Sequence, residues 1–307
     1  MNILSLHNVS KQYEKHVAVN DVSFDMPEGC IMGLLGPNGA GKTSLIRIIT
    51  MITGADSGRV LFNGEPLIAS HQANIGYMPE ERGLYKKMKI GEQLLYLAQL
   101  KGMSYTQARE EIIYWFKKFD IADWWNKRVE ELSKGMQQKV QFIATVMHRP
   151  RLLILDEPLS GLDPINSNLI NSEIAELKNK GTSIIFSTHR MEQVEEMCEH
   201  IVLINNGRNI LTGSVSDIKN KFKENLYRID FDGALPADFA QHFTVREQSP
   251  SSAVIQIDTT EARQHPNDAI RYLLQRNIEI RKYYEMLPTF NEIFIKQVAA
   301  NNLELVA

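Results

Sequence analysis

The sequence contains few cysteines, little excess charge and no long apolar run. Its two cysteines, Cys30 and Cys198, lie far apart and form no CxxC pair, so neither a zinc cluster nor a disulfide framework is indicated. The formal net charge of −3 lacks the basic excess that non-specific binding to nucleic acid usually demands. No apolar stretch approaches the roughly 18 residues of a membrane span, and the N-terminus shows no basic segment followed by an apolar core. These absences disfavour nucleic acid as a partner and predict a soluble chain that reaches any membrane through another protein.

What is present is an ordinary globular composition with two kinds of strand pattern. Hydrophobic residues make up 43% and charged residues 23% of the 307 residues, and this length favours two domains or one domain with an appendage. The short apolar runs CIMGLLG, LLILD and SIIFS are typical of buried parallel strands, whereas ILSLHNVSKQY and HVAVNDVSFDM alternate like antiparallel strands. Helical patterns lie between the runs, and residues 88–148 contain no good strand. The mixture predicts an α/β fold with a helical insert.

The pattern changes after Gly213. LYRIDFDG, HFTVRE, AVIQID and IEIRKYYEM are typical of strands, and NDAIRYLLQRN and TFNEIFIKQVAAN are typical of helices. We predict a small C-terminal α+β domain over residues 214–307, following a first domain over residues 1–213.

The strongest local signal is GPNGAGKTS at residues 36–44. It fits the phosphate-binding pattern G-x-x-x-x-G-K-[ST], and it follows a buried-strand pattern and opens a helical one, as this motif requires. Glycines let backbone N–H groups close around phosphates, and a helix N-terminus adds a favourable dipole. Lys42 would neutralise charge on the β- and γ-phosphates of ATP, and the Thr43 hydroxyl would ligate Mg²⁺; the alternative is a glycine-rich turn without a ligand. The predicted nucleotide-binding residues of this loop are Gly36, Pro37, Asn38, Gly39, Ala40, Gly41, Lys42, Thr43 and Ser44.

Two acidic residues end the apolar run LLILDEP at residues 152–158. A carboxylate at the end of a buried strand is costly without a cation, so Asp156 is predicted to hold Mg²⁺. Glu157 would then orient or deprotonate the attacking water. His189 follows another apolar run, SIIFSTH, and is predicted to sense the γ-phosphate. Without the phosphate loop, the same residues would be a strand end, a turn and a structural histidine.

A further motif, LSKGMQQKV at residues 132–140, resembles the signature of ATP-binding cassette (ABC) proteins. Tyr13, the phosphate loop, YMPEE, this motif, LLILDEP, SGLD and His189 occur in the order of that family over about residues 1–213. The resemblance implies a nucleotide-binding core of mixed sheet and flanking helices. It also implies that a helical subdomain is inserted between the loop at residue 80 and the acidic strand.

The same resemblance assigns roles to further residues. Tyr13 would stack on adenine. Ser133 and Gly135 would contact the γ-phosphate of ATP held by a second cassette, and Asp163 of SGLD would lie across that interface. The chain is thus expected to form a head-to-tail dimer around two ATP molecules, as a homodimer or a heterodimer, and to hydrolyse ATP weakly without its partner. The signature differs from its commonest form at Lys134, Met136 and Lys139.

Three classes of protein use such a cassette. Tandem-cassette translation factors carry two cassettes, and chromosome and repair ATPases carry long coiled coils, whereas this sequence has one cassette and no sustained heptads. The sequence therefore predicts the ATPase subunit of a membrane transporter, peripheral on the inner face of the cell membrane through separate permease subunits. The stretch YMPEERGLYKKM and the C-terminal domain are similar to a bacterial exporter subgroup that includes sodium-efflux types. The alternative is a soluble mechanical ATPase that acts on ribosomes or nucleic acid.

The loop after YMP departs from the family at one position. The family usually has a glutamine there that contacts Mg²⁺ and the attacking water, but here the residue is Glu80. A carboxylate is also a hard oxygen ligand for Mg²⁺, although it adds negative charge beside Asp156 and Glu157. We predict that Glu80 ligates Mg²⁺ when ATP is bound; the alternative is that it turns away until the cassettes close. Candidates for the contact with the membrane subunits are Arg82, Tyr85 and Lys86.

Overall fold

The structure is a computed structural model that describes residues 1–81, 83–258 and 265–304, with side chains described up to residue 301. Its strands are β1 (Asn2–Tyr13), β2 (His16–Pro27), β3 (Ile31–Leu35), β4 (Ser57–Phe62), β5 (Glu65–Pro66), β6 (Ile75–Met78), β7 (Leu152–Asp156), β8 (Ser183–Ser187), β9 (His200–Asn205), β10 (Arg208–Ser214), β11 (Leu226–Asp232), β12 (Thr244–Gln248), β13 (Ser252–Gln256) and β14 (Glu279–Met286). Its α-helices are α1 (Lys42–Ile49), α2 (Ile90–Leu100), α3 (Tyr105–Lys118), α4 (Lys134–Val146), α5 (Pro164–Asn179), α6 (Met191–Met197), α7 (Val215–Lys221), α8 (Phe239–His242), α9 (Pro266–Leu274) and α10 (Phe290–Glu304).

The described residues divide into two compact units. The first comprises Met1–Val215 together with the residues from Gln297 onward, and the second comprises Ser216–Lys296. The sequence-based ranges 1–213 and 214–307 place the last helix with the second domain, and they remain a prediction.

The first unit is built on a six-stranded sheet of order β10-β9-β3-β8-β7-β6. Neighbouring strands run parallel except for the pair β9 and β10. β3, β7 and β8 are buried at every position, as continuous apolar runs in a sheet covered on both faces require. Because parallel strands share one direction, the loops after β3, β6, β7 and β8 meet at the same edge of the sheet. The predicted α/β fold with a mixed sheet is confirmed.

One apolar core joins this sheet to an antiparallel sheet of order β2-β1-β4-β5. Leu4 and Leu6 of β1, Ile46 and Ile49 of α1, and Ile154 of β7 belong to a single buried cluster. Burial of each such side chain stabilises the fold by about 1.5–3 kcal/mol. The cluster therefore fixes α1, and with it the N-terminal end of α1, against both sheets.

The chain between β6 and β7 forms a helical insert. Across residues 88–148, all of which the structure describes, a short turn joins α2 to α3, and two 3₁₀ segments lie between α3 and α4. In this range β-pairing is limited to an isolated bridge between Lys89 and Arg128. The insert has an aromatic core, in which the ring centroids of Trp115, Phe119 and Phe142 are 5.6 to 6.1 Å apart. The predicted helical insert is confirmed, and α4 carries the signature motif at its N-terminal end.

The turn between β9 and β10 supports the loop after β3. Asn206 and Gly207 have φ angles of 48° and 76°, the positive values that a two-residue hairpin turn of type I′ requires. The N–H of Gly207 donates to the backbone oxygen of Ala40 at 2.9 Å, and the oxygen of Gly207 accepts from the N–H of Asn20 at 2.8 Å. This hairpin turn therefore also supports the loop at residues 36–41.

The second unit is an antiparallel sheet of order β12-β13-β11-β14 with helices packed against it. Its core brings together apolar residues of β11, β13, α8 and α9, including Ile229, Phe231, Phe239, Ile255 and Leu273. Apolar positions alternate along β11 in the sequence LYRIDFD, so that one face of the sheet is covered by α9. This is the small α+β unit that the change of pattern after Gly213 predicted.

Candidate nucleotide-binding and hydrolysis site

The loop after β3 requires glycine at two positions. A Cβ atom on Gly36 would lie 2.2 Å from the backbone oxygen of Ile204, and one on Gly41 would lie 2.2 Å from the backbone oxygen of Ala18. Gly41 also has a φ of 108°, in which other residues are strained. It caps α1 without a side-chain hydrogen bond, so the first N–H groups of the helix remain available to an anion.

Lys42 folds back over this loop from the first turn of α1. Its Nζ donates to the backbone oxygens of Gly36 at 2.7 Å and Pro37 at 3.1 Å. Burial lowers the pKa of Lys42, and negative charge nearby opposes this shift. The opposing carboxylates are those of Asp156, Glu157 and Glu80. The remaining predicted residues of the loop are Asn38, Gly39 and Thr43, which are exposed, Pro37 and Ser44, which are half-buried, and Ala40, which is buried.

Asp156 ends β7 and is 5% exposed. Burial raises the pKa of its carboxyl group, and the carboxylates of Glu80 and Glu157 act in the same direction. The hydroxyl of Ser187 and the ammonium of Lys42 oppose the rise. A buried carboxylate whose pKa is raised in this way gains most from a cation placed beside it.

Glu157 is held in a strained backbone conformation. Its φ is 50°, and its N–H donates to the oxygen of Ser187 at 2.9 Å. Its Oε1 accepts from the backbone N–H of His189 at 2.9 Å and lies 2.6 Å from His189 Nδ1, whereas Oε2 has a longer contact of 3.5 Å with the Thr188 hydroxyl. Such strain costs about 1–3 kcal/mol and persists only where the surroundings impose it. The structure thus brings Glu157 and His189, both predicted from sequence, into direct contact.

Glu80 reaches the same edge of the sheet from the loop after β6. It is exposed, and its carboxylate affects the pKa values of both Lys42 and Asp156. In the same loop, Tyr85 is 56% exposed and packs edge-on against Tyr96, with ring centroids 6.5 Å apart. Of the other residues predicted to contact a membrane subunit, Lys86 is exposed, and Arg82 lies outside the described residues.

Four predicted residues lie away from this cluster. Tyr13 ends β1 and is 38% exposed, with Lys11 Nζ 5.6 Å from its ring centroid. Ser133 caps α4 by accepting from the N–H of Met136 at 3.3 Å, and Asp163 caps α5. Gly135 lies in the first turn of α4. Among the described residues, no hydrogen bond links Ser133, Gly135 or Asp163 to the phosphate loop.

Sequence reasoning missed the groups that hold these side chains in place. Ser187 and Thr188 contact the acidic residues, Ile204 packs on Gly36, and Gln138 and Gln141 bond to the backbone beside Glu157 and Glu80. The pairs are far apart in the chain, so local pattern carried no signal for them. Two polar residues on the apolar face of the signature helix, QQKVQF, were the one available hint.

Comparisons with known proteins identify the family of this chain. The model of the ABC transporter family matches residues 19–160, and the model of the C-terminal domain of DrrA1-3-like ATP-binding proteins matches residues 213–298. YhaQ of Bacillus subtilis, an uncharacterized ABC transporter ATP-binding protein, is 42% identical over 299 residues, which cover 97% of this chain and 99% of that protein. This chain belongs to the ABC transporter ATP-binding proteins. Members of this family hydrolyse ATP to power transport and act with transmembrane permease components.

Two further matches extend the comparison. LptB of Haemophilus influenzae, a lipopolysaccharide export system ATP-binding protein, is 30% identical over 226 residues, or 72% of this chain and 94% of that protein. A solved structure of the ATP-binding subunit of an ABC transporter has a TM-score of 0.67 at 30% identity, covering 72% of this chain and 93% of that one. The family favours the transporter class over the soluble mechanical ATPase. Among the described residues, no helix is both long enough and apolar enough to cross a bilayer.

Proposed function

We propose that this ABC transporter ATP-binding protein powers the export of a solute through separate transmembrane subunits, by closing and reopening around ATP as a dimer. The observation that carries the proposal is the meeting of the phosphate loop, Glu80, Asp156 and the pair Glu157 and His189 at one edge of the central sheet. The phosphate loop follows β3, Glu80 follows β6, and His189 follows β8, whereas Asp156 and Glu157 share the end of β7. The fold is therefore what assembles them. Residues 1–213 would act as the ATP-binding domain and residues 214–307 as an accessory domain.

The phosphate loop would bind the triphosphate through its backbone. Because Gly36 and Gly41 have no side chain, residues 36–41 can pack closely against the backbone oxygens of Ile204 and Ala18. The uncapped start of α1 points N–H groups toward the phosphates. When ATP binds, the Lys42 ammonium would leave the backbone oxygens of Gly36 and Pro37 and bind oxygens of the β- and γ-phosphates. The negative charge of the phosphates would offset the free-energy cost of burying the ammonium. The remaining residues of the nucleotide contact would be Pro37, Asn38, Gly39, Ala40, Thr43 and Ser44.

The residues at this edge fit Mg²⁺. The Thr43 hydroxyl and the carboxylates of Asp156 and Glu80 are hard oxygen donors, and Mg²⁺ is usually bound by one or two carboxylates together with substrate phosphates. The raised pKa of the buried Asp156 supports the assignment, because a neighbouring cation would relieve that shift. When bound, Mg²⁺ neutralises charge on the β- and γ-phosphate oxygens.

Glu157 would act as the base for hydrolysis. Its Oε1 is occupied by the backbone N–H and ring of His189, whereas Oε2 has only the 3.5 Å contact with Thr188 among the described residues. Oε2 is therefore the atom that would accept a proton from the attacking water. His189 is 65% exposed, so its second ring nitrogen would reach the γ-phosphate while Glu157 fixes the ring.

The site would be completed by a second copy of the chain. Ser133, Gly135 and Asp163 have no bond to this chain's own phosphate loop among the described residues, and Ser133 and Asp163 are exposed. In a two-fold, head-to-tail homodimer, Ser133 and Gly135 would contact the γ-phosphate bound by the partner chain, with Asp163 at the interface. Tyr13 would stack on adenine from its exposed position at the end of β1. ATP would thus be part of the contact between the two copies.

The transmembrane partner would bind near the loop after Glu80. Tyr85 and Lys86 are exposed there, and the aromatic pair of Tyr85 and Tyr96 offers the kind of surface that protein interfaces favour. The chain would thereby be peripheral on the inner face of the cell membrane. The name of the Haemophilus relative supports export as the direction of transport, and the membrane subunits would choose the solute.

Two experiments test this function. Glu157→Gln should abolish hydrolysis yet leave dimers that form with ATP, and substantial remaining ATPase activity would refute the role of Glu157. Mild detergent extraction from the native host, followed by mass spectrometry, should recover a polytopic membrane protein with this chain. Ribosomal proteins in its place would contradict the transporter role.

A further inference from the structure

We propose that Gln138 and Gln141 are positioning residues that tie the signature helix α4 to the two loops that carry Glu80 and Glu157. The inference rests on the proposed function, because it assigns these glutamines to the link between the two ATP sites of the dimer. It concerns no contact with ATP itself.

Both glutamines lie on one face of α4, since positions i and i+3 are neighbours on a helix. Gln138 is 3% exposed, and its Nε2 donates to the backbone oxygen of Pro158 at 2.9 Å. Gln141 is 4% exposed, and its Nε2 donates to the backbone oxygen of Pro79 at 2.8 Å. Because a carbonyl oxygen can only accept, these bonds determine how both amides are oriented.

The two carbonyl groups stand directly beside the acidic residues. The carbonyl of Pro79 belongs to the same planar peptide unit as the N–H of Glu80, and Pro158 follows Glu157 without a gap. β6 and β7 are paired neighbours, so the two carbonyls lie at adjacent strand ends. One face of a single helix therefore holds both loops.

Among the described residues, the bond to Pro79 is the only hydrogen bond made by the side-chain amide of Gln141. Its Oε1 is buried and has no hydrogen-bond partner among the described residues, which costs free energy. A methionine has a similar length and would fill the same space without a buried, unpaired acceptor. Unlike methionine, glutamine supplies an N–H group that donates a hydrogen bond to the backbone oxygen of Pro79.

These bonds connect the two halves of the proposed ATP site. Ser133 and Gly135 lie at the N-terminal end of α4, so a displacement of the loop at Glu80 or Glu157 moves the signature residues of the same chain. In the dimer, those signature residues serve the ATP bound by the partner chain. ATP binding at one site thereby changes the position of the signature residues at the other site.

The test uses the double variant Gln138→Met/Gln141→Met in the full chain, in a Glu157→Gln background that retains ATP. The ATP affinity of the dilute chain should be unchanged, because the phosphate loop is untouched. The ATP concentration that gives dimers in light scattering should rise about tenfold, because the signature residues are no longer held in advance in the position that binds the partner's ATP. If the two glutamines served only to stabilise the fold, the variant would not separate the ATP affinity of the dilute chain from the ATP concentration that gives dimers.

Gln93→Met is the matched control. Gln93 is a fully buried glutamine in α2 of the same insert, and neither atom of its amide group has a hydrogen-bond partner among the described residues. The same substitution there removes no bond to an acidic loop or to the signature motif. The control should therefore form dimers at the ATP concentration of the parent chain.

Dimers of the double variant at an unchanged ATP concentration would overturn the inference, and so would an equal loss in Gln93→Met. If the double variant fails to fold, the single variants Gln138→Met and Gln141→Met carry the same comparison. A Glu157→Gln chain that itself forms no dimers with ATP would refute the proposed function, and this inference with it.

Discussion

Comparison of Gly135→Ala with Gly91→Ala distinguishes a glycine that function requires from one that stability requires. A Cβ atom on Gly135 would lie 3.5 Å from Leu162 Cδ2, an ordinary van der Waals contact. Alanine is favoured over glycine in a helix by up to about 1 kcal/mol, so the isolated chain should be as stable as before or slightly more stable. In the dimer, the added methyl group would occupy the space that the partner's γ-phosphate requires. ATPase activity at saturating ATP should fall at least about tenfold, as when a transition-state contact is removed.

Gly91→Ala is the control for this variant. Gly91 lies in α2 of the same insert, and a Cβ atom there would lie 2.4 Å from Trp125 Cε2. Overpacking of this kind costs about 1–3 kcal/mol, so Gly91→Ala should lower the midpoint of urea unfolding. The measurements are urea unfolding, ATP affinity of the dilute chain and turnover at saturating ATP. A Gly135→Ala chain that is destabilised as much as Gly91→Ala, or that hydrolyses ATP at the parent rate, would refute the reasoning.

Three other variants test separate parts of the account. Lys42→Ala removes the ammonium group above the phosphate loop and should weaken ATP binding at least about tenfold; unchanged affinity in a binding titration would count against the assignment. Glu80→Gln should change the Mg²⁺ concentration that gives half-maximal ATPase activity, and an identical Mg²⁺ dependence would argue against Glu80 as a ligand. Burial, helped by the charge of Lys101, lowers the pKa of His148 from 6.5 to about 4. The unfolded chain then binds more protons than the folded chain between those pH values, so stability is lost as pH falls through this window, by about 3 kcal/mol at pH 4. His148→Asn should remove this part of the pH dependence in urea unfolding, and a pH dependence equal to that of the parent chain would disprove it.

The fold was predictable where one period of hydrophobicity dominates. CIMGLLG, LLILD and SIIFS are buried on both faces and became adjacent strands of the central sheet, because a parallel sheet covered by helices demands such runs. The stretch GRVLFNGEP has no clear strand pattern, although it contributes to β4 and β5. Most of that stretch is exposed or half-buried, so its pattern is weak.

The site was predictable where chemistry and spacing are local. Lys42, Asp156 and Glu157 follow buried strands within short motifs, and the structure places their charges within reach of one another. The backbone atoms that support the phosphate loop were not predictable. The backbone oxygens of Ile204 and Ala18 leave no room for a Cβ atom at Gly36 and Gly41, but they come from distant parts of the chain. A sequence motif names the groups that act, whereas the fold decides which distant backbone atoms hold them.

The central claim is that each ATP site is completed by the signature of the other chain, and mixing two variants tests it most directly. Glu157→Gln would remove the proposed base of a chain's own site, and Gly135→Ala would remove the proposed signature contact that a chain gives to its partner. In an equimolar mixture, half of the dimers pair one variant with the other, and each such dimer keeps one intact site. ATPase activity should therefore recover to about a quarter of that of the unmodified chain. If the mixture stays as inactive as either variant alone, the head-to-tail arrangement is contradicted.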